Sequence, residues 1–156
     1  MSRYQEIRFK GIVKKELREH FEPIALYGKW VESPDPVLRD FGECHTNASC
    51  IPRSDSVGNY AVERWNNTSW ERKYDKETGE WQFQVAININ RNWMFLTDWE
   101  DEILPYLIES IEHYEVWDEP IADDPSPKET ALLAWVKDSL EVVGIIDENG
   151  NYIARK

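Results

Sequence analysis

Eleven carboxylates and not one lysine or arginine lie between Arg91 and Lys128: Asp98, Glu100, Asp101, Glu102, Glu109, Glu112, Glu115, Asp118, Glu119, Asp123 and Asp124. Carboxylates at this density act through their field, attracting cationic surfaces and repelling nucleic acid. The formal net charge of -12 is therefore local. Residues 1–80 hold 13 basic and 14 acidic side chains and nearly balance, whereas residues 81–156 hold 5 and 16.

Other spacings imitate catalytic or metal chemistry and fall short of it. Pro34-Asp35 with Glu71-Arg72-Lys73 imitates the metal-binding signature of restriction-endonuclease-like nucleases. Asp35, however, sits between two prolines in a turn rather than at a strand end, and an acidic surface repels a DNA substrate. Cys44-His45 with Cys50 supplies two thiols and one adjacent imidazole, an incomplete ligand set for zinc. The three histidines, His20, His45 and His113, are scattered. Gly-x-Ser-x-Gly, the phosphate loop and His-Glu-x-x-His are all missing from the sequence. The expectation is a non-enzymatic protein with no cofactor and no metal. The first ten residues, MSRYQEIRFK, are charged and polar with no apolar h-region. A cytoplasmic chain with reduced thiols and no membrane association is expected.

The elements that must position these groups follow from periodicity. Residues 6–14 alternate, with Ile7, Phe9, Gly11 and Val13 on one face, and read as a half-buried strand. A helix is expected from about Lys15 to Lys29, with Leu17, Phe21, Ile24 and Gly28 as its stripe and Pro23 on the water side. Asp35 is placed to cap a short helix ending near Phe41. Trp70, Arg72 and Tyr74 alternate in one arm of a hairpin and Trp81, Phe83, Val85, Ile87 and Ile89 in the other, joined by a turn at residues 76–79. Thr97 with Glu100 forms a capping box opening a helix that runs to about Glu112. His113–Trp117 reads as a strand. Ser126, Pro127 and Glu129 open a further helix with the stripe Leu132, Val136, Leu140 and Val143. Ile145-Ile146 and Tyr152-Ile153 flank Asn149-Gly150 as a closing hairpin.

This order predicts an α+β chain. Residues 1–119 would form a ferredoxin-like βαββαβ domain with an antiparallel sheet and both helices on one face. Residues 120–156 would add a linker and a helix–hairpin packed on that core. Trp30, Trp65, Trp93 and Trp117 stand outside the clear core stripes.

On the expected helix, Asp98, Asp101, Glu102, Glu109 and Glu112 share the side opposite Trp99, Ile103, Leu107 and Ile111. Acids in a first turn complement the helix dipole, but Glu109 and Glu112 lie near its C-terminal end, where negative charge is mildly unfavourable. Folding alone does not ask for that stripe. Glu115, Trp117, Asp118, Glu119, Asp123 and Asp124 extend it, and these six with the five acids of the helix side are the expected partner contact. The partner is a basic host protein that handles nucleic acid, bound without direct contact to the nucleic acid. Reversing Glu109, Glu112 and Glu115 to lysine is expected to abolish that binding and leave the fold intact. A second surface is the open sheet face, where Arg8, Lys10, Lys14, Lys73, Gln82, Gln84 and Asn88 could hold a phosphorylated nucleotide. A toxin-immunity role shares the acidic logic with a different partner.

Three blocks, FKGIVKKELREHFEPIALYGKW, TGEWQFQVAININ and FLTDWEDEILPYLIESIEHYEVWDE, resemble uncharacterised small acidic proteins of bacteriophages and mobile elements. The resemblance implies a cytoplasmic accessory role of the counter-defence kind, in which anti-CRISPR-like inhibitors are one group.

Overall fold

A computed structural model describes residues 4–53, 70–88, 94–118, 130–136, 139–146 and 151–154. The fold is α+β and built on one antiparallel sheet. Its strands are β1 (Tyr4–Val13), β2 (Lys73–Tyr74), β3 (Glu80–Asn88), β4 (Ile108–Asp118), β5 (Thr130–Val136), β6 (Ser139–Ile146) and β7 (Tyr152–Ala154), in the order β2-β3-β1-β4-β5-β6-β7. The ferredoxin-like expectation put four strands in the sheet; among the described residues seven are present.

β1 forms as its alternation requires and takes a central place. Ile7, Phe9 and Val13 point to one side and are fully buried. Trp81, Phe83, Val85 and Ile87 of β3 share that side, in register with β1 at Gly11, Phe9, Ile7 and Gln5. The β2–β3 turn falls where Lys76 to Gly79 predicted it. Gly79 takes φ 81, a left-handed value that suits glycine, and its N–H donates to Asp75 O at 2.8 Å.

The helical pieces pack against the apolar side of the sheet, and they are shorter than the sequence suggested. Lys15–Leu17 is a single 3-10 turn, and the α-helix proper, α1, spans Glu22–Tyr27. Pro23 explains the break: without an N–H it fits the first turn of a helix but not its middle. α1 ends on Gly28 at φ 66. α2 (Pro36–Cys44) is capped as expected, with Asp35 Oδ1 accepting from Val37 N at 2.9 Å and Leu38 N at 3.1 Å. Trp30, which matched no stripe, is 1 % exposed; its Nε1 donates to Ile51 O at 2.8 Å. It belongs to a ring cluster with Phe21, Phe41 and Trp99. Trp65 and Trp93 lie outside the described residues.

Two expected helices are overturned. The first, Thr97 to about Glu112, is instead a helical run from α3 (Met94–Asp98) through a wide π turn (Trp99–Ile103) to α4 (Leu104–Leu107), followed directly by β4. Pro105 has no N–H to return to the carbonyl of Asp101, which weakens the helix where the turn widens. Leu104 N bonds to Trp99 O across that turn. From Ile108 the chain serves the open edge of β1. The helix-period pattern and the strand pattern both tolerate Ile108 and Ile111; an unpaired central strand decides between them. Thr97 is inside α3, and no capping box forms.

The second overturned helix is the C-terminal one. Leu132 and Val136 lie on β5, and Leu140 and Val143 on β6, paired antiparallel from Thr130↔Ile146 to Val136↔Ser139. Val142, Val143, Ile145 and Ile146 are β-branched and favour a pleated surface over a helix. Ser126, Pro127 and Glu129 fall outside the described residues. The closing hairpin is present as β6–β7, with Ile145↔Ile153 and Ile146↔Tyr152. β5, β6 and β7 therefore prolong the sheet beyond β4, through Glu115↔Leu132 and Val116↔Ala131, rather than adding a helix to the core. Among the described residues no helix is long and apolar enough to cross a membrane.

Candidate functional site

β4 carries much of the acidic run, and its pairing with β1 decides what each acid can do. The register is Arg8↔Glu115, Phe9↔Tyr114 and Lys10↔His113, then Gly11↔Ile111 and Ile12↔Ser110, then Val13↔Ile108. The two skipped residues are Glu112 and Glu109. Each is the extra residue of a β-bulge, a device that turns a side chain out of the ladder. Both are exposed, and both meet cations: Glu112 Oε2 lies 3.5 Å from Lys10 Nζ, and Glu109 Oε2 lies 3.8 Å from Arg18 Nη2. Surface pairs of this kind contribute little to stability but locally cancel field.

Glu115 differs. It is 3 % exposed, and its Oε1 lies 2.5 Å from His113 Nε2. Its cross-strand neighbour Arg8 is 7 % exposed. Arg8 Nη2 donates to Gln84 Oε1 at 3.2 Å, and its guanidinium lies 4.7 Å from the centre of the Trp70 ring. Burial lowers the Arg8 pKa, and the nearby Glu115 charge works in the opposite direction. Trp70 also donates its backbone N–H to Gln84 Oε1 at 2.8 Å and packs 5.0 Å from the His113 ring. Trp70, Arg8, Gln84, His113 and Glu115 therefore form one covered polar cluster on the sheet face away from the helices.

That face is the one on which a nucleotide site was expected. Arg8, Lys10, Gln82, Gln84 and Lys73 do come together there by register. Gln82 Nε2, however, donates to Glu71 O at 2.9 Å, Lys10 meets Glu112, and Arg8 lies under Trp70. Lys14 is past the end of β1, where its Nζ donates to Pro105 O at 2.7 Å. Asn88 pairs with Tyr4 through the ladder, and its side chain is outside the described residues.

The earlier acids divide in the same way. Asp98 Oδ2 is 2.7 Å from Nε2 of the buried His45, whose ring packs beside Phe41 and Phe95. Glu100 accepts from the hydroxyl of fully buried Tyr114 at 3.0 Å. Burial pushes the Glu100 carboxyl up to about 6, with the Tyr114 bond pulling it down and Asp101 adding to the rise. Burial also holds the Tyr114 phenol well above its usual range. Asp101 and Glu102 alone of this group are exposed, and neither makes an ion pair among the described residues. Trp117 and Asp118 are on β4 by backbone, with side chains outside the described set, as are Glu119, Asp123 and Asp124 altogether.

A second group of acids lies on the helical layer, and of its members the sequence reading singled out only Asp35. Glu16, Glu19 and Asp35 line a cavity of about 290 Å³ with His20, Leu17, Phe21, Ser33, Pro34, Pro36 and Leu38. Asp35 Oδ2 also accepts from the Tyr106 hydroxyl at 2.5 Å, a bond that pushes that phenol up to about 12. Glu16 and Glu19 are three residues apart; that spacing was the one available signal for the group. No set of three or more His, Cys, Asp or Glu side chains converges as a metal site among the described residues. Compared with protein-family models, with curated proteins and with solved structures, the chain matches none.

Proposed function

We propose that this chain is a non-enzymatic binding protein whose acidic helical side engages a basic, nucleic-acid-handling protein in the cytoplasm. One observation carries the reading. Asp101 and Glu102 stand exposed on the wide turn at Trp99–Ile103, in a segment, 94–107, that contains no lysine or arginine. An uncompensated pair of charges is free to act on a partner, whereas Glu109 and Glu112 have cations of their own. The contact therefore moves from the β4 acids to the helical layer. The resemblance to small acidic phage proteins supports a counter-defence, anti-CRISPR-like partner class. The order β2-β3-β1-β4 supports reading the first four strands as a ferredoxin-like core carrying this surface.

The nucleotide-sponge reading has less support, because its cations Arg8 and Lys10 are engaged within the protein. A toxin-immunity role shares the acidic surface and differs only in the partner. The test is capture of a partner from host lysate at low and high salt. Asp101→Lys/Glu102→Lys should lose the partner while keeping the native circular dichroism spectrum, and added salt should weaken capture steeply. Unchanged capture by that folded variant overturns the proposal.

A further inference from the structure

A charged rim by itself is a solvated face. What sets the Glu16–Asp35 group apart is the cavity it surrounds, whose buried lining residues are Phe21, Leu38 and Ser33. Phe21 and Leu38 are almost fully buried at its base, and Leu17, Pro34 and Pro36 complete the apolar walls. Its volume of about 290 Å³ is at the small end for a ligand site and is ample for a long side chain.

We infer that this cavity receives a lysine side chain of the protein partner, its methylenes against Leu17, Phe21 and Leu38 and its ammonium among Glu16, Glu19 and Asp35. The inference rests on the protein-binding reading above. A lysine needs this combination, because it buries an apolar stem and keeps a charged head at a polar rim. Both oxygens of Asp35 are already engaged, Oδ1 by Val37 and Leu38 N–H and Oδ2 by the Tyr106 hydroxyl. Asp35 therefore adds field rather than a free fork, and a compact ammonium needs only the summed field of the three carboxylates. The N-terminus of α2 opposes a cation with about half a positive charge, which three carboxylates exceed. His20 lines the same rim, 4.0 Å from Glu19. Arg39 reaches the rim by donating to Ser33 O at 3.5 Å.

The test is an amide NMR titration of the full chain with Nα-acetyl-lysine methylamide, run beside the uncharged Nα-acetyl-norleucine methylamide. Saturable shifts at Leu17, Phe21 and Leu38 are expected with the lysine compound and not with the norleucine one. They should weaken by about tenfold in Glu16→Gln/Glu19→Gln, whose native spectrum checks its fold. No saturable shift, equal shifts with norleucine, or lysine shifts indifferent to the double substitution would each overturn the inference. The two proposals fail separately. A partner captured equally by Glu16→Gln/Glu19→Gln removes the cavity from the contact and leaves the acidic surface standing. Lysine binding in the cavity with no salt-sensitive partner leaves the cavity standing and removes the other.

Discussion

Arg8 and Glu115 are direct cross-strand partners on β1 and β4, and each is more than nine-tenths buried. Glu115 is therefore part of the structural interior and not of a contact surface. Glu115 is bonded to His113 and senses the Arg8 charge across the ladder, so removing either buried group leaves a neighbour short of a partner at a cost of about 1–3 kcal/mol. Glu115→Gln or Arg8→Met alone should lower the urea midpoint accordingly, with an unchanged m-value. For the same reason, reversal of Glu109, Glu112 and Glu115 together should unfold the protein, contrary to what the sequence suggested.

Glu100 makes stability depend on pH with an unusual sign for a carboxylate. Its folded value of about 6 is above the unfolded 4.5, so the folded protein holds the proton more tightly. Stability from this group is present in full below about 4.5 and declines as pH rises through about 6. That gap corresponds to about 2 kcal/mol. Glu100→Gln keeps an acceptor for the Tyr114 hydroxyl and has no charge to desolvate. Across that window the thermal stability of this variant should lack the decline that Glu100 imposes on the parent, and the variant should be more stable than the parent at neutral pH. A parent curve that rises through the same interval would refute the assignment.

Asp35 joins the N-terminus of α2 to Tyr106 within α4. Asp35→Ala removes a cap worth about 1 kcal/mol and a hydrogen bond of similar size. The expected loss is about 2 kcal/mol by chemical denaturation, against about 1 kcal/mol for Tyr106→Phe. In the double variant the two losses should not add, because they share one bond.

Glu109 and Glu112 should matter little. Exposed pairs at 3.5–3.8 Å contribute about 0–1 kcal/mol each. Glu109→Gln/Glu112→Gln should fold with nearly parental stability and capture the partner as well as the parent does. Loss of capture in this variant would return the contact to β4.

Several parts of the fold were legible because local chemistry and tertiary demand agree there. β1, the β3 alternation, the turn at Gly79 and the Asp35 cap follow from period, φ preference and side-chain hydrogen bonding over a few residues. The segments around Ile108–Ile111 and Leu132–Val143 were not legible. Their apolar residues fit a helical stripe and a strand equally well, and the need to satisfy a neighbouring strand's hydrogen bonds selected the strand.

The candidate site divides along the same line. The amount of negative charge, and its concentration after Arg91, was determined by the sequence alone. Which carboxylates remain available was decided by tertiary structure. Placing β4 beside β1 buried Glu115 against Arg8, turned Glu109 and Glu112 onto bulges near cations, and left Asp101 and Glu102 exposed. A residue's charge is intrinsic to its type, but its field in water depends on burial and on the countercharges that distant segments bring within reach.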